Sequence, residues 1–327
     1  MIQAVLGIDV AKDTLDVALI QAGKTWQERF DNQVSGFKRL LRWVEKQVGG
    51  PVHACLESTG QYSDGVAEYL YEHGYAVSVV NPARIKAYGA SKLRRNKTDR
   101  ADAQLIAEYG LREQPGLWSP PPASFRELQS LVRRLEDLQA QLQQENNRLK
   151  SGVKHPLVIA DLQDHLQELE GRIARIKRAI GEHISAHPEL KQRVELLTSI
   201  PGIGRLTAAK ILGEVRDVCA FDDARQLAAY AGVTPRNFTS GTSVHKKARM
   251  SKTGNANLRK ALYMPAISAK RHNSIIRAFC DRLSASGLQP MQIIGAAMRK
   301  LLHLIYGILK SGRPFDPNFL TTSSLTP

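Results

Sequence analysis

Val5-Leu6-Gly7-Ile8-Asp9 is an apolar run that ends on an acid. Val52-His53-Ala54-Cys55-Leu56-Glu57 does the same. Short apolar runs of this length bounded by turn signals read as buried strands. A third acidic element follows in Asn96-Lys97-Thr98-Asp99-Arg100-Ala101-Asp102-Ala103. Thr98 is a helix N-cap signal, and acids three apart behind it share one face of the first turn. Two strand ends and one helix start can bring four carboxylates to one divalent cation. Hard oxygen donors of this kind suit Mg2+, whose usual chemistry is phosphoryl transfer. Asp13 and Asp16 lie close by and read as turn and surface residues.

Working outward, Gln3–Asp9 and Thr14–Ile20 read as two strands around a tight turn, and Lys24–Phe30 as a third. Phe37, Leu40, Leu41 and Val44 give Val34–Val48 a helical stripe that Gly49-Gly50-Pro51 breaks. A helix over Tyr62–His73, a strand over Tyr75–Val80 and a helix from Thr98 to about Leu111 complete the order β-β-β-α-β-α-β-α. That order predicts a mixed sheet with helices on both faces.

Pro115, Pro120, Pro121 and Pro122 mark a boundary. We therefore expect three parts, at 1–114, 115–189 and 190–327. In the middle part, Leu128, Leu131, Leu135, Leu138 and Leu142 repeat at three and four, as do Leu162, Leu166, Leu169, Ile173, Ile176 and Ile180. These coiled-coil-like stripes fit an intrachain hairpin or an intermolecular bundle, with oligomerisation slightly favoured. In the third part, Ser199-Ile200-Pro201-Gly202-Ile203-Gly204-Arg205 reads as a tight turn between two helices. Gly202 and Gly204 would let backbone N–H groups approach a phosphate at a helix start, as in a helix-hairpin-helix motif. Residues 234–254 read as a loop rich in hydroxyls and bases, in which Gly241 would expose the hydroxyl of Ser240. The usual role of Ser and Thr in such a stretch is local hydrogen bonding.

The 327 residues are long enough for two domains, and a formal net charge of +15 is strongly basic. Its placement is telling: Arg236 to Arg313 holds fifteen Lys and Arg against Asp281 alone, and Arg84 to Arg100 holds seven against Asp99. Such blocks are footprints for polyphosphate partners. The candidate phosphate contacts are Arg94, Arg95, Lys97, Arg236, Lys246, Lys247, Arg249 and Lys252, with Gly202 and Gly204. Aromatic content of 6% argues against a platform that stacks single-stranded bases. No apolar run approaches a membrane span, and Met1-Ile2-Gln3-Ala4 lacks the character of a signal peptide. The three scattered cysteines and nine histidines are expected to form no zinc cluster. A reducing cytosol fits best.

Taken together, Gly7-Ile8-Asp9-Val10-Ala11-Lys12, Glu57-Ser58-Thr59-Gly60, Asn81-Pro82, Asn96–Ala103, Ile200–Gly204, Ala231-Gly232-Val233-Thr234-Pro235-Arg236, Ser240-Gly241, Arg249-Met250-Ser251-Lys252 and Leu258–Ala266 form an ordered series. In this the chain resembles the DEDD-type insertion-sequence transposases, the family that includes the Piv-type DNA invertases and the bridge-RNA-guided recombinases. The resemblance implies an α/β RNase H-like (RuvC-like) N-terminal domain, a helical coiled-coil connector and a mainly α C-terminal domain with a helix-hairpin-helix-like motif. It implies that Asp9, Glu57, Asp99 and Asp102 bind Mg2+ and that Ser240 is the catalytic serine, which attacks DNA and forms a covalent phosphoserine link. It further implies that the acids of one protomer assist the serine of another in a dimer or tetramer. Donor and target double-stranded DNA would be chosen by a structured bridge RNA, in the bacterial cytoplasm and at the nucleoid. Three other classes are set against this. A RuvC-like nuclease or junction resolvase would use water and not need Ser240. A kinase of the actin-like fold would need further phosphate loops, for which only Pro201-Gly202-Ile203-Gly204 is a candidate. A non-catalytic RNA-binding protein would have no use for the four acids.

Overall fold

The computed structural model describes residues 4–58, 61–92, 98–215, 217–240 and 244–318, with the backbone alone for Gln61, residues 237–240 and residues 244–248. The chain divides into two compact units, Met1–Pro120 and Pro121–Pro327.

The first unit is built on five strands, β1 (Ala4–Val10), β2 (Thr14–Gln21), β3 (Lys24–Asp31), β4 (His53–Glu57) and β5 (Ala76–Val80), in the order β3-β2-β1-β4-β5. β1 to β3 form an antiparallel meander, and β1, β4 and β5 run parallel. Parallel pairing needs crossovers, and α1 (Val34–Val48) and α2 (Gln61–Glu72) supply them. Period-two alternation then sorts the sheet. Leu6, Ile8, Leu15, Val17, Leu19, Ala54 and Leu56 pack with Phe37, Leu40 and Val44 of α1 and Val66 and Leu70 of α2. Val5, Ala18, Ile20 and Cys55 face the other side. There they meet α3 (Pro82–Ser91) and α4 (Asp99–Glu113) through Ile85, Ala103, Leu105, Ile106 and Ala107.

The element order expected from sequence is found, with α3 added. Its signal was present: Asn81 caps the helix by accepting from the N–H of Ala83 at 2.8 Å, and Pro82 occupies the first turn.

In the second unit, α5 (Ala123–Lys150) and α6 (Pro156–Ala186) fold back on each other as an intrachain hairpin. Leu128, Leu135 and Leu138 are buried with Leu169, Ile173, Ile180 and Ile184, and each fully buried leucine contributes about 1.5–3 kcal/mol. The same apolar cluster runs on through α7 (Pro188–Thr198), α8 (Arg205–Val215), α9 (Ala224–Tyr230), α10 (Ala256–His272), α11 (Ser274–Ala285) and α12 (Pro290–Ser311). The hydroxyl-rich stretch expected to be a loop is instead an antiparallel ribbon, β6 (Pro235–Ser240) paired with β7 (Val244–Met250), with an irregularity between Arg236 and Phe238. Among the described residues no helix is long and apolar enough to cross a membrane.

Candidate active site

Alternation along the strands puts Asp9 and Glu57 on the sheet face that α4 covers. Asp9 follows Val5 and Gly7 at even spacing, and Glu57 follows Cys55. Gly7 allows α4 to approach closely, because a Cβ there would overlap Ala103 O and Ala107 N of α4. Gly110 of α4 is also close, though less so: a Cβ would meet Cys55 and Val5 side-chain atoms at 2.9 Å. Glycine is thus required at both positions by the approach of helix to sheet. The start of α4 is fixed by Thr98, whose hydroxyl accepts from the N–H of Ala101 at 3.2 Å. Asp99 and Asp102 occupy the first turn, where the helix dipole favours negative charge.

The consequence is a crowd of like charges. Asp9 is pushed up to about 6, first by burial and then by the charges of Asp102, Glu57, Asp99 and Asp16. Asp9, Glu57 and Asp102 are half-buried and Asp99 is exposed. The four acids share a neighbourhood without closing up: among the described residues, no three of them bring oxygens within 4.8 Å of one another.

Asp16, expected at the surface, is 3% exposed and lies opposite Asp9 in the β1–β2 register. Both faces of β2 are covered, so alternation there does not mark a solvent side. Its charge is met by Arg29 of β3, directly across in register, at 3.0 Å through Nε and 2.8 Å through Nη2. Arg29 Nη2 also reaches Asp99 Oδ2 at 3.3 Å. Arg29 is therefore a member of this neighbourhood that the sequence did not reveal, because the pairing depends on strand register.

The other predicted residues fall in three groups. Arg94, Arg95 and Lys97 lie outside the described residues. Ser240 ends β6, in register with Val244, and Lys246 and Lys247 lie on β7; their side chains also lie outside what is described. Arg236, Arg249, Lys252, Gly202 and Gly204 are placed. Arg249 and Lys252 line a cavity of about 830 Å³ with Arg299, Lys300 and His303. Lys252 also lines a second one of about 1060 Å³, with Lys210, Arg259 and Lys260. Gly202 has φ +107, and a Cβ there would meet the backbone of Ala269 on α10 at 2.7 Å, so close packing already accounts for this glycine. Gly204, just before α8, has open space where a side chain would go.

A buried acid holds the foot of the ribbon. Glu214 on α8, 4% exposed, accepts from Arg133 Nε of α5 at 3.2 Å and from Asn255 Nδ2 at 2.8 Å. The N–H of Asn255 donates to Tyr230 O at 2.6 Å, that of Ser251 to Thr234 O at 2.9 Å and that of Lys252 to Gly232 O at 3.0 Å. Both ends of the ribbon are thereby tied to the helical core.

Two protein-family models match this chain. One, described as a transposase of the DEDD IS110 type, covers residues 6–155, and the other, the transposase IS116/IS110/IS902 family, covers residues 194–281. The pilin gene-inverting protein of Moraxella bovis is 36% identical over 321 residues, covering 97% of this chain and 98% of that protein. The chain belongs to the DEDD IS110/IS116 transposase family. The transposase for insertion sequence element IS1111A of Coxiella burnetii is 27% identical over 302 residues, 82% of this chain and 78% of that protein. The protein is accordingly an enzyme, a transposase or DNA recombinase, and its family implies DNA substrates.

The histidines, expected to form no cluster, include the spaced pair His183-Ile184-Ser185-Ala186-His187. Among the described residues, His183, His187 and Glu127 are the one group of three or more His, Cys, Asp or Glu whose ligand atoms lie within 4.8 Å of one another.

Proposed function

We propose that this transposase cuts and rejoins DNA through attack of Ser240 on a phosphodiester, assisted by Mg2+ held by Asp9, Glu57, Asp99 and Asp102 on an RNase H-like, RuvC-like unit. The observation that carries the reading is the gathering of Glu57, Asp99 and Asp102 around Asp9, which burial first and these charges next lift to about 6. Four carboxylates brought to the ends of two neighbouring strands and the start of α4, against their own repulsion, are a donor set that fits a hard dication. When bound, Mg2+ would offset phosphate charge and orient the reacting oxygens.

The chain's own groups account for the remaining steps. The Ser240 hydroxyl gives up its proton, its Oγ–P bond forms, and the bond to a deoxyribose oxygen breaks, that oxygen taking a proton. The reverse step rejoins the strands, with bond energy conserved in the phosphoserine link and no nucleotide cofactor. The bases around the ribbon, Arg236, Lys246, Lys247, Arg249 and Lys252, stabilise the charge on phosphorus and hold backbones. Arg94, Arg95, Lys97 and the Gly202–Gly204 turn add phosphate contacts. A bridge RNA selects donor and target by pairing, and the protein supplies mainly charge and shape. Exchange between two duplexes requires four strand cuts, hence a dimer or tetramer carrying several serines.

Covalent trapping tests this reading. Purified protein with its co-purifying RNA, Mg2+ and labelled donor and target DNA is resolved on a denaturing gel beside Ser240→Ala and Asp102→Ala. We expect a protein–DNA adduct that both substitutions abolish. Cleavage that persists in Ser240→Ala without an adduct, yet vanishes in Asp102→Ala, would mean a nuclease using water.

A further inference from the structure

The group of Glu127, His183 and His187 belongs to the second unit and shares no residue with the four acids. Glu127 lies in the first turns of α5, His183 near the end of α6, and His187 at the corner where α6 gives way to α7. They stand at the open base of the helical hairpin, away from its turn at Ser151–His155.

Both rings are fixed by hydrogen bonds of one kind. His183 Nε2 lies 2.8 Å from Ser124 O, and His187 Nδ1 lies 2.8 Å from His183 O. A backbone carbonyl can only accept, so each of these nitrogens carries its proton. In the neutral rings the lone pairs are then on His183 Nδ1 and His187 Nε2. A ring N–H held by a backbone carbonyl is the arrangement that orients metal-ligating histidines, fixing tautomer and ring direction. His183 Nδ1 faces Glu127 Oε2 at 3.7 Å, and the two ring centroids are 4.3 Å apart. The shell continues outward, with Ser124 Oγ donating to Glu189 Oε1 at 2.8 Å. His183 is 11% exposed and Glu127 is 64% exposed, so an ion would have protein on one side and an entry path on the other.

We infer that Glu127, His183 and His187 form a second metal site, for a zinc-class dication that clamps the open end of the α5–α6 hairpin. Two imidazoles and one carboxylate make a three-ligand set that suits Zn2+ or Co2+ and leaves a fourth position to water. All-oxygen carboxylate ligation, by contrast, suits Mg2+. The clamp joins residues 56 positions apart, and such a closure restricts the unfolded chain. The same contacts would equally form a plain ion pair between protonated His183 and Glu127, and the experiment separates the two.

Full-length, tag-free protein freed of metal is titrated with Co2+ and, separately, with Zn2+. The set comprises the natural chain, Asp102→Asn, Glu127→Gln and His187→Asn. The expected result is one strongly absorbing, four-coordinate, nitrogen-ligated Co2+ per chain in both the natural chain and Asp102→Asn, any cobalt on the four acids being oxygen-ligated and weakly absorbing. Glu127→Gln and His187→Asn should each weaken binding about ten-fold or more. Saturating Zn2+ should raise the melting temperature of the natural chain by roughly 5 °C and that of Glu127→Gln by much less. Glu127 is exposed, so its substitution tests the site without disturbing the core. Absence of the cobalt band from the natural chain, or a band unchanged in both Glu127→Gln and His187→Asn, overturns the inference. A band lost only in Asp102→Asn would assign the metal to the four acids instead.

Discussion

Asp9, Glu57 and the first turn of α4 stand at the ends of elements packed on apolar cores, whereas β6 and β7 form a polar two-stranded ribbon tied down at its foot. In the first region the elements are packed on both sheet faces and the tension is electrostatic: burial and neighbouring acids lift Asp9 to about 6. In the second, order comes from a buried acid, Glu214, gathering Arg133 and Asn255, and from backbone hydrogen bonds across residues 230–255. The difference suits two tasks. On the proposed reading, a metal-holding group would use fixed, self-repelling ligands, and the strand that carries Ser240 would be anchored at its base.

The largest effects should come from the reacting groups. Ser240→Ala and Asp102→Asn should each lower strand exchange about 10⁴-fold or more, measured by conversion of labelled donor and target, with melting temperature nearly unchanged for Ser240→Ala. A smaller loss in Ser240→Ala would break the division of labour between the two regions.

Next comes the spacing of α4 from the sheet. Gly7→Ala forces a methyl into Ala103 O and Ala107 N, where α4 must move. We expect about 1–3 kcal/mol of destabilisation by denaturant titration and a drop in activity on the order of 100-fold, because the acids part. The corresponding change under the ribbon is Glu214→Ala. Leaving Arg133 and Asn255 without their buried acceptor should cost about 3 kcal/mol in stability. If Glu214→Ala lowered activity without changing stability, the anchoring role would be wrong.

The smallest effect has the opposite sign. Asp9 has a folded value near 6 against an ordinary 3.8, so the folded chain holds its proton where the unfolded chain has lost it. Stability of the metal-free protein therefore falls as pH rises from about 4 to 6, and the cost stays in full above pH 6. Asp9→Asn removes that cost. At pH 7.5 it should stabilise the metal-free protein by about 1 kcal/mol, a figure that allows for solvent screening of a half-buried group, while abolishing activity. The gap between the two melting curves should open between about pH 4 and pH 6 and then stay constant.

Much of the first region was legible because its signals are local. The alternation of β1 and β2, the stripe of α1, the Thr98 cap and the acids at element ends each follow from a few neighbouring residues. Asp16 was misread for a physical reason: alternation predicts a solvent face only where one face is bare, and α4 covers the second face of β2. Arg29 escaped because register, not spacing, brings it to Asp16. The ribbon reads as a loop in sequence because its hydroxyl-rich, basic composition lacks a hydrophobic period, and what fixes it lies as far away as Arg133. Gly202 was read as a phosphate contact from its turn, yet its positive φ and the approach of α10 already require glycine there.

On the proposed reading, the crowding of Asp9, Glu57, Asp99 and Asp102 serves to hold a dication. The most direct test is thermal melting at pH 7.5, with and without Mg2+, of the natural chain and Asp9→Asn. The account predicts that Mg2+ stabilises the natural chain, that metal-free Asp9→Asn melts higher than the metal-free natural chain, and that Mg2+ adds little to it. Equal Mg2+ shifts in both proteins, or none in the natural chain, would contradict it.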